Sequence, residues 1–162
     1  MRKLVLLIAI IGLGLTTASA QKNLTAALYA GVPVADTEDY SFHGSADIAY
    51  RVNVIGLLDV GGLIGYSHYF DDDVRSDFGL FDNGDLQYLP IAASARLNLL
   101  AILFVGTDLG YAVGLGNDGG FYFRPQVGVD LGLLSIVGNY EGISPDGGAS
   151  VGSVNAGIEV RF

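Results

Sequence analysis

Beyond residue 21 the chain alternates apolar and polar side chains with period two over most of its length. Successive side chains of a strand point to opposite faces, so this alternation demands a sheet with two chemically different faces and excludes a helical fold. The stretch FYFRPQVGVDLGL shows it best. Phe121, Phe123, Pro125, Val127, Val129, Leu131 and Leu133 form one parity, and Tyr122, Arg124, Gln126, Gly128, Asp130 and Gly132 the other. The same split recurs in residues 46–52, 58–70, 88–99, 103–115 and 154–162, and more weakly in 24–32 and 136–143. Eight strands are therefore predicted, several of them separated by turn chemistry such as Asn83-Gly84-Asp85, Asn117-Asp118-Gly119-Gly120 and Pro145-Asp146-Gly147-Gly148. An echo at an offset of 45 residues (96 − 51), Arg51-Val52-Asn53 against Arg96-Leu97-Asn98 with the strand that follows each, suggests a repeated hairpin.

The polar parity is unusual for a solvated surface. It has no Lys, is heavy in Gly, and carries nearly balanced charge: Asp47, Asp59, Asp108, Asp130, Glu141 and Glu159 against Arg51, Arg96, Arg124 and Arg161. A narrow barrel interior needs this mixture, small residues where space is tight and ions that neutralise one another. The apolar parity suits lipid, with Tyr50, Tyr66, Phe70, Tyr111, Phe121, Phe123 and Tyr140 near strand ends as interface girdles. An apolar band of ~25 Å crossed at ~40° tilt takes ~10 residues, the length of these strands. Lipid cannot satisfy an open sheet edge, so the sheet must close. The fold class predicted is all-β, an eight-stranded antiparallel up-and-down transmembrane β-barrel. The alternative is a periplasmic lipocalin-like barrel with the apolar face inside, whose exterior would then show almost no Lys.

One continuous apolar run stands apart. Met1-Arg2-Lys3 precedes LVLLIAIIGLGL, and Ala18-Ser19-Ala20 fits a small-x-small cleavage site, so residues 1–20 read as a secretory signal peptide cut after Ala20. The domain is then 21–162. With no Cys, disulfides, thiolate zinc sites and lipid attachment to a cysteine are excluded. A formal charge of -9 without a basic cluster argues against nucleic acid as a partner.

These features resemble the small outer-membrane β-barrel proteins of the porin-family β-barrel domain, with the architecture of OmpX and of the OmpA membrane domain. The resemblance covers 21–162 and is carried by the signal segment, YLPIAASARLNL, FYFRPQVGVDLGL and the final VNAGIEVRF. It implies insertion by the barrel assembly machinery, read from Val154, Ile158, Val160 and Phe162, and location in the bacterial outer membrane. The expected surroundings are lipid and lipopolysaccharide, and a monomer without a cofactor is expected.

With both ends in the periplasm, outward loops are expected near 36–45, 71–87, 116–120 and 144–149, and turns near 53–56, 99–102 and 133–135. The outward loops hold 11 acids against the single base Arg75. The turn at Leu99-Leu100-Ala101-Ile102 has no turn chemistry to place it. Three functional readings follow. The lumen charges fill a closed barrel that stabilises the membrane or presents its loops for adhesion or binding, or else they line a small-solute or apolar-ligand channel. The longest loop, with Asp71, Asp72, Asp73, Phe78 and Phe81, is a candidate surface site, although it lacks the spacing of a calcium loop. Third, His43-Gly44-Ser45 has the His-x-Ser spacing of a lipid A deacylase, with His68 beside Ser67 the only other histidine, but His43 is expected in a loop with no acid assigned to it.

Overall fold

A computed structural model describes residues 23–35, 40–71, 85–100, 102–145 and 147–162. They form eight strands: β1 (Leu24–Ala35), β2 (Tyr40–Asn53), β3 (Leu58–Asp71), β4 (Leu86–Asn98), β5 (Leu103–Gly114), β6 (Gly120–Asp130), β7 (Leu134–Pro145) and β8 (Val151–Arg161). Each pairs antiparallel with its neighbours in chain order, and β1 pairs with β8 from Thr25↔Arg161 to Ala35↔Val151, so the sheet closes into a barrel without an edge. Closure leaves every strand a partner on both sides, the condition for standing in a medium that offers no hydrogen bonds.

The two parities take the two faces of the wall. Leu28, Ile48, Ile64, Ile91, Val127, Ile136 and Ile158 are exposed on the outside. Asp47, Arg51, Arg96, Asp108, Arg124, Glu141 and Glu159 are buried inside. The barrel thus inverts the usual arrangement, with an apolar belt outside and a polar filling within. Glycines on the inward parity make room for large neighbours. A Cβ on Gly128 would run into the ring of Phe104, and one on Gly157 into the ring of Tyr29.

Strand bounds depart from the sequence reading in two places. β2 starts at Tyr40, so residues 40–45, expected in an outward loop, are strand. The reason is the partner strand, since Phe42, His43, Gly44 and Ser45 pair with Phe70, Tyr69, His68 and Ser67 although two of the four are poor strand formers. The third turn lies at 131–133 and β7 begins at Leu134, because Gly132, at φ 102°, makes the reversal that the sequence placed two residues later. The turn without turn chemistry is closed by backbone hydrogen bonds: Leu99 N–H donates to Leu103 O at 2.9 Å and Leu100 N–H to the same oxygen at 3.4 Å.

Candidate functional site

The lumen is built in layers along the barrel axis. At the end that carries the termini and the three turns, Asn53 Nδ2 donates to Asp59 at 2.7 Å and Asn98 Nδ2 to the other Asp59 oxygen at 3.0 Å. Arg161 bridges to Asp130 at 2.8 Å. These pairs are partly exposed and form a rim. Asp59, expected in the arginine network, is held here by two asparagines instead.

The next layer is ionic. Arg96 grips Glu159 through both guanidinium nitrogens, at 2.6 and 2.5 Å, and also donates to Gln126 at 2.9 Å. Arg51 reaches the same carboxylate at 3.4 Å, Ser94 at 2.7 Å and Thr25 at 3.0 Å. Arg124 bridges two acids, Asp47 at 2.6 Å and Asp108 at 2.9 Å. Gln126 Nε2 donates to the same Asp108 oxygen at 2.8 Å, which joins the two clusters. Aromatic rings complete the packing, Phe104 lying 4.3 Å from the Arg96 guanidinium and Tyr29 5.0 Å from that of Arg124. The planar fork suits this role because it binds carboxylates edge-on and stacks on rings face-on. Asp47 Oδ1, Asp108 Oδ1, Arg51 Nη2, Arg96 Nε and Arg124 Nη2 have no hydrogen-bond partner among the described residues, so every ion of the layer except Glu159 keeps one unsatisfied atom.

Nearer the loop end lies a neutral-to-acidic network. Asn155 Nδ2 donates to Asn139 at 2.9 Å and Ser153 at 3.1 Å, so its Oδ1 meets His43 Nδ1 at 2.6 Å and that nitrogen is the donor. His43 Nε2 lies 2.8 Å from Ser67 Oγ, and Ser67 donates to Glu141 at 2.5 Å. Tyr122 donates to the other Glu141 oxygen at 3.3 Å. His43 is therefore on β2 and inside the barrel, not in a loop, and its partner is Ser67 on β3 rather than Ser45. It has an acid within reach, Glu141 at 3.3 Å, which spacing in the chain could not reveal. The arrangement has the parts of a nucleophile–base pair, yet His43 and Ser67 are both 0% exposed.

A fourth layer was not read from the sequence. Ala49, Leu63, Tyr69, Tyr88, Ala92, Ala112, Tyr122, Ile143 and Val151 form one buried cluster, with Tyr40 and Leu86 packed against it, and its tyrosines lie toward the loop end of their strands. Tyr69 meets Tyr88 edge-to-face at 6.3 Å and Tyr40 at 6.4 Å, a favourable geometry for ring quadrupoles. The signal was present, because Tyr69, Tyr88, Tyr122 and Ile143 all stand on the inward parity.

Other predicted residues fall elsewhere. His68 is on the outer wall near the loop end, stacked on Phe70 at 4.0 Å and bonded to Asp85 and to the Tyr66 hydroxyl, both at 2.9 Å. Tyr50, Tyr111, Phe121, Phe123 and Tyr140 are exposed on the outer wall. Val154 and Ile158 are also exposed there, Val160 is half-buried, and Phe162 N–H donates to Leu24 O at 2.8 Å. Asp71 ends β3. Asp72, Asp73, Phe78, Phe81 and the signal segment with Ala18 and Ala20 lie outside the described residues.

Comparison with known proteins bears on the fold. No protein-family model matches the chain, and no curated protein matches it. Among solved structures it is similar to Ail, the attachment invasion locus protein of Yersinia pestis, with TM-score 0.59 and 14% identity over 86% of this chain and 97% of that one. It is similar to Neisserial surface protein A, with TM-score 0.52 and 17% identity over 88% of this chain and 98% of that one. A de novo designed transmembrane β-barrel matches with TM-score 0.55 and 11% identity over 89% of this chain and 98% of that one. The fold is that of a small eight-stranded outer-membrane barrel. A designed sequence among the matches shows how few residues that fold prescribes. The likeness rests on strand number, pairing and closure, which the alternation and the loop spacing of this chain reproduce.

Proposed function

We propose that the chain is a closed, non-enzymatic barrel of the bacterial outer membrane that acts through its outward loops. The observation that carries the reading is the presence of two successive buried layers in the lumen. The ionic layer, with Arg124, Arg96 and Glu159 almost fully buried, is followed by the tyrosine layer, with Tyr69, Tyr88 and Tyr122 equally buried. A water-filled path would need to displace both. Eight strands leave an interior that side chains just fill, and the burial of both layers supports that filling. The apolar outer wall supports a bilayer as the surrounding medium. Export by residues 1–20, insertion by the barrel assembly machinery through the last strand, and a monomeric state belong to the same reading.

Contact with a partner then falls to the loops. Ail has been solved with a heparin analogue, sucrose octasulfate. The loops of this chain carry 11 acids and one base, so a sulfated polyanion would be repelled. The chemistry they fit is a basic surface, or the divalent-bridged phosphates of lipopolysaccharide. Planar-bilayer recording of the purified, refolded barrel tests the closed reading. A silent membrane is the expected result, and stable unitary openings would defeat it.

A further inference from the structure

Among the buried acids of the lumen, Glu141 is the one that no arginine bridges. Glu159 is held by Arg51 and Arg96, and Asp47 and Asp108 are held by Arg124. The basic group bridged to Glu141 is His43, whose Nε2 lies 3.3 Å from Oε1. Four buried acids thus face three buried arginines, which leaves one negative charge over. We infer that His43 is the missing cation: a buried imidazolium at neutral pH, paired with the Glu141 carboxylate through Ser67, which makes the loop end of the barrel sensitive to pH. The inference goes beyond the closed-barrel reading and holds whether or not the lumen conducts.

Hydrogen bonding leads to the same state without the charge count. A neutral imidazole has one N–H and an imidazolium has two. Nδ1 carries a hydrogen, because Asn155 Nδ2 donates to Asn139 at 2.9 Å and to Ser153 at 3.1 Å, which leaves the acceptor Oδ1 at 2.6 Å from Nδ1. Nε2 is settled by Ser67. That hydroxyl has a single hydrogen and lies 2.5 Å from Glu141 Oε1 and 2.8 Å from Nε2. With the hydrogen given to Glu141, a bare Nε2 would set lone pair against lone pair. An Nε2–H instead donates to Ser67 Oγ and reaches Glu141 as well. Glu141 accepts on both oxygens, since the Tyr122 hydroxyl donates to Oε2 at 3.3 Å. A protonated carboxyl would need one of those oxygens as a donor.

The surroundings favour the ion pair. His43 and Glu141 are 0% and 1% exposed, so solvent cannot stand in for a missing partner. The imidazole ring lies 4.3 Å from the ring of Tyr69 on β3, whose π-face attracts a cation. Tyr122 faces the pair from β6 and Asn155 from β8. The ions beyond, Asp47 on β2 and Arg124 on β6, are bound to each other at 2.6 Å. Backbone pairing of β1 with β2 stops at Gly31↔His43, and the bond from His43 to Asn155 crosses to β8 at that level. When rising pH strips Nε2, Glu141 becomes an anion without a cation and Ser67 has one hydrogen for two acceptors. The network joining β2, β3, β7 and β8 then weakens, so stability falls as pH rises.

The chain has two histidines, so a His68→Gln variant reports on His43 alone. Nitrogen NMR of isotope-labelled histidine in that variant, in phospholipid nanodiscs at neutral pH, should show both ring nitrogens protonated. Adding Glu141→Gln removes the anion, and one ring nitrogen should then be bare. A bare Nε2 in the first variant overturns the inference, and so do two protonated nitrogens in the second. The first measurement leaves the network intact, so it decides the matter even if Glu141→Gln fails to fold. Urea midpoints give a second readout. The parent should lose stability between neutral and mildly alkaline pH, and the charge-free variant His43→Gln with Glu141→Gln should lose much less. Equal losses would overturn the pH sensitivity.

Discussion

Arg124 is the most informative single position in the lumen. Its guanidinium lies between Asp47 at 2.6 Å and Asp108 at 2.9 Å, and all three side chains are at most 2% exposed. The gross attraction in each contact is on the order of 6 kcal/mol at an effective dielectric near 20. Most of that offsets the desolvation of three ions. Arg124→Met keeps the apolar stem but strands two carboxylates, and only Gln126 remains as donor to Asp108. Removing one partner of such a buried set costs about 3–5 kcal/mol. Urea titration in detergent micelles, followed by far-UV circular dichroism because the chain has no Trp, reads the loss directly. The triple variant Asp47→Asn, Arg124→Met, Asp108→Asn removes the charges together and should recover most of it, since what destabilises is the unpaired ion and not the missing salt bridge. A loss under about 1 kcal/mol for Arg124→Met, or a triple variant weaker than the single one, would refute the account of the lumen as a balanced ionic layer.

Three further outcomes are expected. Gly128→Ala drives a methyl into the Phe104 ring and should cost about 1–3 kcal/mol, whereas Gly138→Ala, whose Cβ would have nothing nearer than Asn155 O at 4.0 Å, should unfold at nearly the parent urea concentration. His43→Ala breaks the contacts to Ser67 and Asn155 and should lower stability by about 1–3 kcal/mol, while mass spectrometry of lipid A from expressing cells shows the same acylation. A changed lipid A profile would contradict the non-enzymatic reading. Tyr69→Ala with Tyr88→Ala removes two of the three buried tyrosines of that layer but leaves the ionic one, so planar-bilayer recordings should stay silent; openings in that variant would place the seal in the tyrosines.

Strand number, the facing of most residues and the exterior belt were legible in the chain because they depend only on parity. A residue two positions along a strand returns to the same side whatever the rest of the fold does. The same rule placed Arg51, Arg96, Arg124, Glu141 and Glu159 inside. Boundaries were less legible where a partner strand overrides local preference. Residues 40–45 read as loop and pair as strand because β3 extends beside them.

Which inward groups meet is a different matter. Arg124 and Asp47 are 77 residues apart, and Arg96 and Glu159 are 63 apart. Their contact depends on the tilt and stagger with which the sheet closes, and on how far each side chain reaches along the axis. Neither quantity is written in any local pattern. For the same reason Asp59 leaves the arginine network for the rim, His43 finds Ser67, Asn155 and Glu141, and tyrosines from β3, β4 and β6 converge in one layer. The alternation by itself determined a closed sheet with its greasy side out. Only the closed barrel, by bringing distant strands to one axis, decided which charges and rings meet inside it.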